Sequence, residues 1–287
     1  MQSPPMMKRH RFVDAHVHLR SVTGLAAAAA AGIYALRDAG MKENAEKGIR
    51  KQAPVDVPAV VASGWAIYKK GGYGAQFGRA VETRDEMKKE ISNLKQAGAD
   101  IIKVIASGLV SLKQPGTVTA GGFDRDELSC MVEEAGTLGL GVMAHANGES
   151  AIIAAASAGV RSIEHGFFMT ERALEVLAGS RIYWTPTTSA LVRAAGSRNG
   201  TEEGRVFAED LVRQHLVLIR KAHLIGVPLA VGTDCVLPCS DYDVEYAREL
   251  KYFEQSGIDS DSVMRIAGAG GMQLLGIATE MQGARGK

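Results

Sequence analysis

The stretch FVDAHVHL, Phe12 to Leu19, is a short apolar run rich in Val and Ala, bounded by basic residues before it and an Ala-rich segment of helical spacing after it. That pairing recurs along the chain. Further apolar runs are IYALRDAG (Ile33 to Gly40), PAVVASG (Pro58 to Gly64), DIIKVIAS (Asp100 to Ser107), GVMAHAN (Gly141 to Asn147), RSIEHG (Arg161 to Gly166), IYWTPTT (Ile182 to Thr188) and PLAVGTD (Pro228 to Asp234). Strands that are apolar on both faces and alternate with helical segments belong to parallel βαβ units. Helices are expected at Arg84 to Gln96, Arg125 to Leu138, Glu149 to Ala158, Thr170 to Leu177 and Glu202 to Leu224. Several stop at a glycine just before the next strand, in AGAD, LGLG, AGVR and IGVP, where a left-handed cap lets the chain turn. Eight strand–helix units over about 250 residues fit a closed (β/α)8 TIM barrel of the α/β class. A doubly wound open sheet would carry a glycine-rich phosphate turn after its first strand, and none occurs there.

No composition shift or linker divides the chain, so it reads as an N-terminal tail, 1–11, and one barrel domain, 12–287. The 287 residues carry 33 Lys and Arg against 32 Asp and Glu, a formal charge of +1, which gives no field to attract nucleic acid or an anionic membrane. A small-molecule substrate is therefore expected. Cys130, Cys235 and Cys239 form neither a CxxC nor a disulfide framework, and the first residues lack an apolar leader core, so a cytoplasmic protein is expected.

Polar residues at the strand ends carry the chemistry. His16 and His18, two apart near the end of the first strand, point to one side, into the mouth where barrel enzymes place their catalytic groups. Lys103 interrupts an otherwise apolar strand, and a lysine is rarely buried without a partner. A salt bridge would satisfy it; so would carbamylation of a neutral, desolvated amine, which makes an oxygen ligand for metals. His145, His165 and Asp234 close the fifth, sixth and eighth strands. Each alone reads equally well as a core histidine or a capping aspartate; together, six such groups aimed at one mouth read as a metal site. Glu164 alternates away from His165 and is expected to face the helices in a structural role. The loops Trp65 to Val81, Gly108 to Gly122 and Ser189 to Thr201 are long enough to form the pocket's mouth.

The ordered set HxH, GADIIKV, AHANG, SIEHG and VGTD resembles the amidohydrolase superfamily, in its branch with a carbamylated lysine. RDAG, VVASGWAIYKKGGYG, TPTTSA and AGAGGMQLLGI are similar to the prolidase-like and imidazolonepropionase-like members. The resemblance implies two divalent ions, zinc first, with Fe, Mn, Co or Ni suited to the same ligands. His16, His18 and Asp234 would hold one, His145 and His165 the other, with carbamylated Lys103 (from carbon dioxide) and a hydroxide bridging them. Asp234 would be the catalytic base, and the reaction hydrolysis of an amide-like C–N bond in a dipeptide, N-acyl amino acid or cyclic amide. Members usually add a small β-sandwich built around the barrel, for which this sequence has no evident segment, and prolidase-like relatives tend to have His where Tyr73 stands.

Arg20, Lys69, Lys70, Tyr73, Lys113 and Arg193 are candidate partners for a substrate carboxylate, each equally readable as surface charge or packing. Trp65, Phe167, Phe168 and Trp184 read as core. The same ligand set would also serve a lactonase, a phosphoesterase, a mononuclear deaminase or a non-catalytic metal-binding barrel. No interface signature appears, and a homo-oligomer stays open.

Overall fold

The computed structural model describes residues 11–42, 57–197 and 200–277; of the expected tail only Arg11 lies within them. The elements run β1 (Phe12–Leu19), α1 (Val22–Ala30), β2 (Ile33–Asp38), β3 (Ala59–Ala62), β4 (Ala66–Lys69), β5 (Gly78–Val81), α2 (Arg84–Ala97), β6 (Ile101–Ile105), α3 (Arg125–Thr137), β7 (Gly141–Ala146), α4 (Glu149–Ala158), β8 (Ser162–His165), α5 (Glu171–Ala178), β9 (Tyr183–Thr185), α6 (Thr188–Ala195), α7 (Glu202–Leu224), β10 (Cys235–Leu237), α8 (Tyr242–Gln255), α9 (Ser260–Arg265), a π-helical turn (Ile266–Gly270) and α10 (Gly271–Leu275).

Every strand pairing is parallel, in the orders β10-β1-β2-β3 and β5-β4-β6-β7-β8-β9. The third barrel position is one bent strand: β3 meets the foot of β6, where Asp100 N–H donates to Ala62 O at 2.8 Å, and β4 continues past Ser63 to pair Ala66 with Lys103. The eighth position is the segment expected as a strand at Pro228 to Asp234. It is extended rather than regular, yet it bonds on both sides. Trp184 N–H donates to Pro228 O at 2.8 Å, and Ala15 N–H to Val231 O at 2.8 Å. Asp234 N–H donates to His16 O at 2.7 Å, and regular pairing resumes in β10. These bonds close the ring into a (β/α)8 barrel. Glycine is needed here because the segment runs against β1: a Cβ on Gly232 would lie 2.8 Å from that of His16.

The helices form where expected because their ends are specified locally. Thr83 with Glu86, and Asp124 with Glu127, make capping boxes at the starts of α2 and α3. Gly98, Gly139, Gly159 and Gly226 take the left-handed turn before the next strand. The main apolar core lies between barrel and helices, where Leu25, Met87, Ile91, Leu94, Met131, Ile152, Leu174, Ile219 and Phe253 are fully buried. Inside the barrel the polar residues of the mouth stand above a small separate apolar cluster of Ala39, Ile101 and Met143.

Two loops carry more structure than expected. The segment after β3 contains β4 and β5, and the one after β9 is mostly helix α6. The segment after β6 folds back as a hairpin bridged at Val110 and Val118. Among the described residues no helix is long and apolar enough to cross a membrane.

Candidate metal centre

Strand alternation explains four of the ligand candidates. His16 and His18 on β1, Lys103 on β6 and His145 on β7 all turn inward and line one pocket of about 760 Å³, counted with its open mouth. The other two arrive by a backbone departure. His165 and Asp234 have φ of 66° and 55°, left-handed values uncommon outside glycine and concentrated at functional sites. The twist at His165 turns its imidazole into the pocket although its neighbour Glu164 already points inside. The ring centroids of His16 and His165 are 5.0 Å apart, and those of His145 and His165 are 4.6 Å apart.

Each imidazole has one nitrogen occupied by the protein. His16 Nδ1–H donates to Glu164 Oε2 at 2.7 Å, His18 Nδ1–H to Gly40 O at 2.7 Å and His145 Nε2–H to Gly108 O at 2.9 Å. His165 Nδ1 is bonded to the Thr187 hydroxyl at 2.7 Å. A neutral ring that donates from one nitrogen presents a bare lone pair at the other, and such second contacts orient metal-binding histidines. Burial, with help from the charge of Lys103, pushes His16 and His145 down to about 4, and burial holds His165 well below its ordinary value. These rings are therefore neutral at pH 7.

The Nε2 atoms of His16 and His18 face one carboxylate oxygen, Asp234 Oδ1, at 3.4 and 3.2 Å. The neutral His16 ring and the carboxylate turn lone pairs toward each other there, and these repel unless a cation stands between them. His16 Nε2 is buried with no hydrogen-bond partner, and the ligand atoms of His16, His18 and Asp234 lie within 4.8 Å of one another. Lys103 Nζ is likewise buried without a hydrogen-bond partner, and burial lowers its pKa to about 8. The donor set fits a divalent metal ion.

Glu164 corrects the expectation that it faces the helices. It is fully buried inside the barrel, where it accepts a hydrogen bond from His16 Nδ1–H, both oxygens accept from Arg37 Nη2 at 2.8 and 3.0 Å, and the Ser162 hydroxyl donates to it. Burial alone would raise its pKa; Arg37 and His16 outweigh that and hold it at about 2. Arg37 also donates to Ala15 O at 2.6 Å and to Ser162 Oγ at 2.7 Å, so the guanidinium ties β1, β2 and β8 together beneath the pocket. A buried arginine at the strand end of RDAG was the available signal for this network.

Of the six residues proposed for a substrate carboxylate, only Tyr73 lines the pocket. Its ring lies 5.6 Å from that of His145, and burial followed by the Asp234 charge pushes its phenol up to about 12. Arg193 is engaged elsewhere: it pairs with Glu245 at 2.7 Å and donates to the carbonyls of Thr233 and Asp234 at 3.0 and 2.9 Å, holding the ligand segment from outside. Lys69 pairs with Glu127 and Lys70 with Glu82. Arg20 is exposed away from the pocket, and Lys113 stands at the edge of a neighbouring cavity. Phe167, expected as core, lines the pocket, as do Phe77, Leu109, Val110, Leu112 and Leu191. Trp184 is core and donates its indole N–H to His165 O at 3.0 Å.

Comparison with known proteins agrees with this architecture. An ochratoxinase of Aspergillus niger is 31% identical over 152 residues, a match that spans 52% of this chain and 32% of that protein. A Xaa-Pro dipeptidase crystallised with methionine in its active site superposes with a TM-score of 0.79 at 22% identity, over 96% of this chain and 80% of that one. The A. niger ochratoxinase structure does so at 0.76 and 22%, over 93% and 71%. At these identities the superpositions show the barrel fold. The model of the amidohydrolase family matches residues 12–280, nearly the whole chain, and carries the four histidines, Lys103 and Asp234 within it; the chain belongs to the amidohydrolase family.

Proposed function

We propose that the protein is a metal-dependent hydrolase that cleaves an amide-like C–N bond of a small molecule, using two divalent ions. The observation that carries this reading is the convergence of the His16 and His18 Nε2 atoms on Asp234 Oδ1, beside His145, His165 and a buried lysine without a hydrogen-bond partner. His16, His18 and Asp234 would hold one ion and His145 and His165 the other. Lys103 would serve both after carbamylation: its Nζ, having first lost the proton of the ammonium form, bonds to the carbon of carbon dioxide and gives up a second proton, leaving a carboxylate-like group. When bound, such ions lower the pKa of water in the pocket toward about 7 and polarise the substrate carbonyl.

The chain's own residues do the rest. Asp234 would take the proton of the attacking water and pass it to the leaving nitrogen, a role its carboxylate can fill because it lines the pocket beside His16 and His18. Tyr73 stays protonated and can donate a hydrogen bond to the carbonyl oxygen. Phe77 and Phe167 exclude bulk water from the pocket's sides. The names of the relatives support an amide substrate, since a dipeptidase cleaves a peptide bond.

The test is elemental analysis of protein purified without chelator in bicarbonate buffer, together with a panel of dipeptides, N-acyl amino acids and lactones. Two metals per chain and turnover of amides are expected. Lys103→Ala should bind markedly less metal, with partial recovery in short-chain carboxylates; unchanged metal content would retire the carbamate.

A further inference from the structure

We infer that the substrate carries an extended apolar arm, received by a second chamber that opens off the metal pocket; this rests on the hydrolase reading above. The chamber measures about 710 Å³ with its mouth and adjoins the metal pocket, with Leu109, Val110, Leu112 and Ala194 on the lining of both. The shared wall is apolar throughout. On the metal side the lining continues through Ala190 and Leu191, so a group leaving the reaction centre in this direction meets hydrocarbon first.

The wall is built before any ligand arrives. Leu109 N–H donates to Thr119 Oγ1 at 3.0 Å, Thr119 N–H to Leu109 O at 2.8 Å and Ser111 N–H to Thr117 O at 2.9 Å, which closes residues 109–119 as a hairpin. Val110 and Leu112 pack from this hairpin onto Leu191, Ala195 and Ala208 of α6 and α7. The backbone crosses α7 closely, since a Cβ on Gly204 would stand 3.1 Å from Leu112 O. Leu109, 40% exposed at the junction of the two cavities, leaves a large apolar side chain in water that an occupant would cover.

Charge points the same way. Among the described residues the lining of the metal pocket holds one cation, Lys103, which belongs to the metal set, and the chamber's lining holds one more, the exposed Lys113. Selection by hydrocarbon contact is therefore better provided for than selection by a carboxylate clamp.

The test uses alkyl hydroxamates from acetyl to decanoyl on the metal-loaded protein, with dissociation constants from calorimetry. Affinity should tighten by about three- to fourfold per added methylene until the chamber is filled. Ala194→Phe, on an exposed turn of α6 that tolerates substitution, and Leu112→Asn should each collapse the ratio between the acetyl and decanoyl members by more than about tenfold, with circular dichroism showing the fold retained. A flat or undetectable series, or a ratio unchanged in both variants, overturns the chamber. Turnover of N-acetyl amino acids is measured in parallel. Chain-length-graded binding without turnover of any amide supports the chamber and retires the hydrolase reading; turnover with flat binding does the reverse.

Discussion

The floor of the pocket and its side wall are built on opposite principles. The floor consists of charged and imidazole side chains, most of them held by a directional contact: His16 to Glu164, Glu164 to Arg37, His18 to Gly40 O and His145 to Gly108 O, with Lys103 the exception. The wall is a hairpin and a helix face that meet through hydrocarbon, with hydrogen bonds kept inside the hairpin's own backbone. A network of directional bonds fixes atoms to a fraction of an ångström and fails as a unit when one member is lost. An apolar wall excludes water and tolerates replacement of one side chain by another of similar size. Chemistry is thus assigned to the part that cannot drift and selection to the part that can.

The sharpest way to break this contrast is at the floor's centre. Asp234→Asn should lower kcat/KM by about a thousandfold or more while circular dichroism stays native, because the base is removed and the shape kept; near-normal turnover would move the base elsewhere. Glu164→Ala should cost about 3–5 kcal/mol in urea unfolding, since it strands the buried Arg37 guanidinium. Leu112→Ala on the half-exposed wall should cost only about 1 kcal/mol, by the smaller area it buries. Equal costs would mean that floor and wall are not distinct.

A third test uses protons on the metal-free protein. His215 in α7, wedged between Phe167 and Trp184, is pushed by burial from 6.5 to about 4. Its unfolded form binds a proton that the folded form refuses, so its contribution to stability is present above pH 6.5 and is lost as pH falls toward about 4. Replacing it with leucine should flatten that part of the stability–pH curve, leaving what His16 and His145 add in the same direction; an unchanged slope would show that the ring is not held neutral. The smallest effect belongs to Arg20→Ala, an exposed residue outside both cavities, which should change stability and turnover within about 0.5 kcal/mol.

Much of the floor is written in the sequence because a polar group in an apolar strand is conspicuous. Lys103 in DIIKVIAS and the HxH of β1 identify themselves by chemistry and parity alone. Parity also misleads: taking β8 as regular sends Glu164 outward once His165 is placed inward, whereas the left-handed turn at His165 brings both inside. The carbonyls of Gly40 and Gly108 that orient His18 and His145 carry no side-chain signal at all. Arg193 looked like a substrate clamp because its loop follows a barrel strand; only the fold shows it turned toward Glu245 and the carbonyls of Thr233 and Asp234. Loop placement depends on packing between segments nearly a hundred residues apart, such as Leu112 against Gly204, which no local pattern encodes.

The left-handed backbone at residues 165 and 234 also narrows the evolutionary routes open to this centre. Gly, Asn, Asp and His adopt that conformation at least strain, while branched or bulky residues take it only where packing holds them, as at Phe168 and Thr187. A descendant that exchanged its ligands for a different metal would draw both replacements most cheaply from His and Asp, the members of that short alphabet that can ligate. A lineage that abandoned catalysis would gain stability most easily through glycine or asparagine at these two places. Among diverged copies of this barrel, the identity of two residues would then distinguish a retooled enzyme from a retired one.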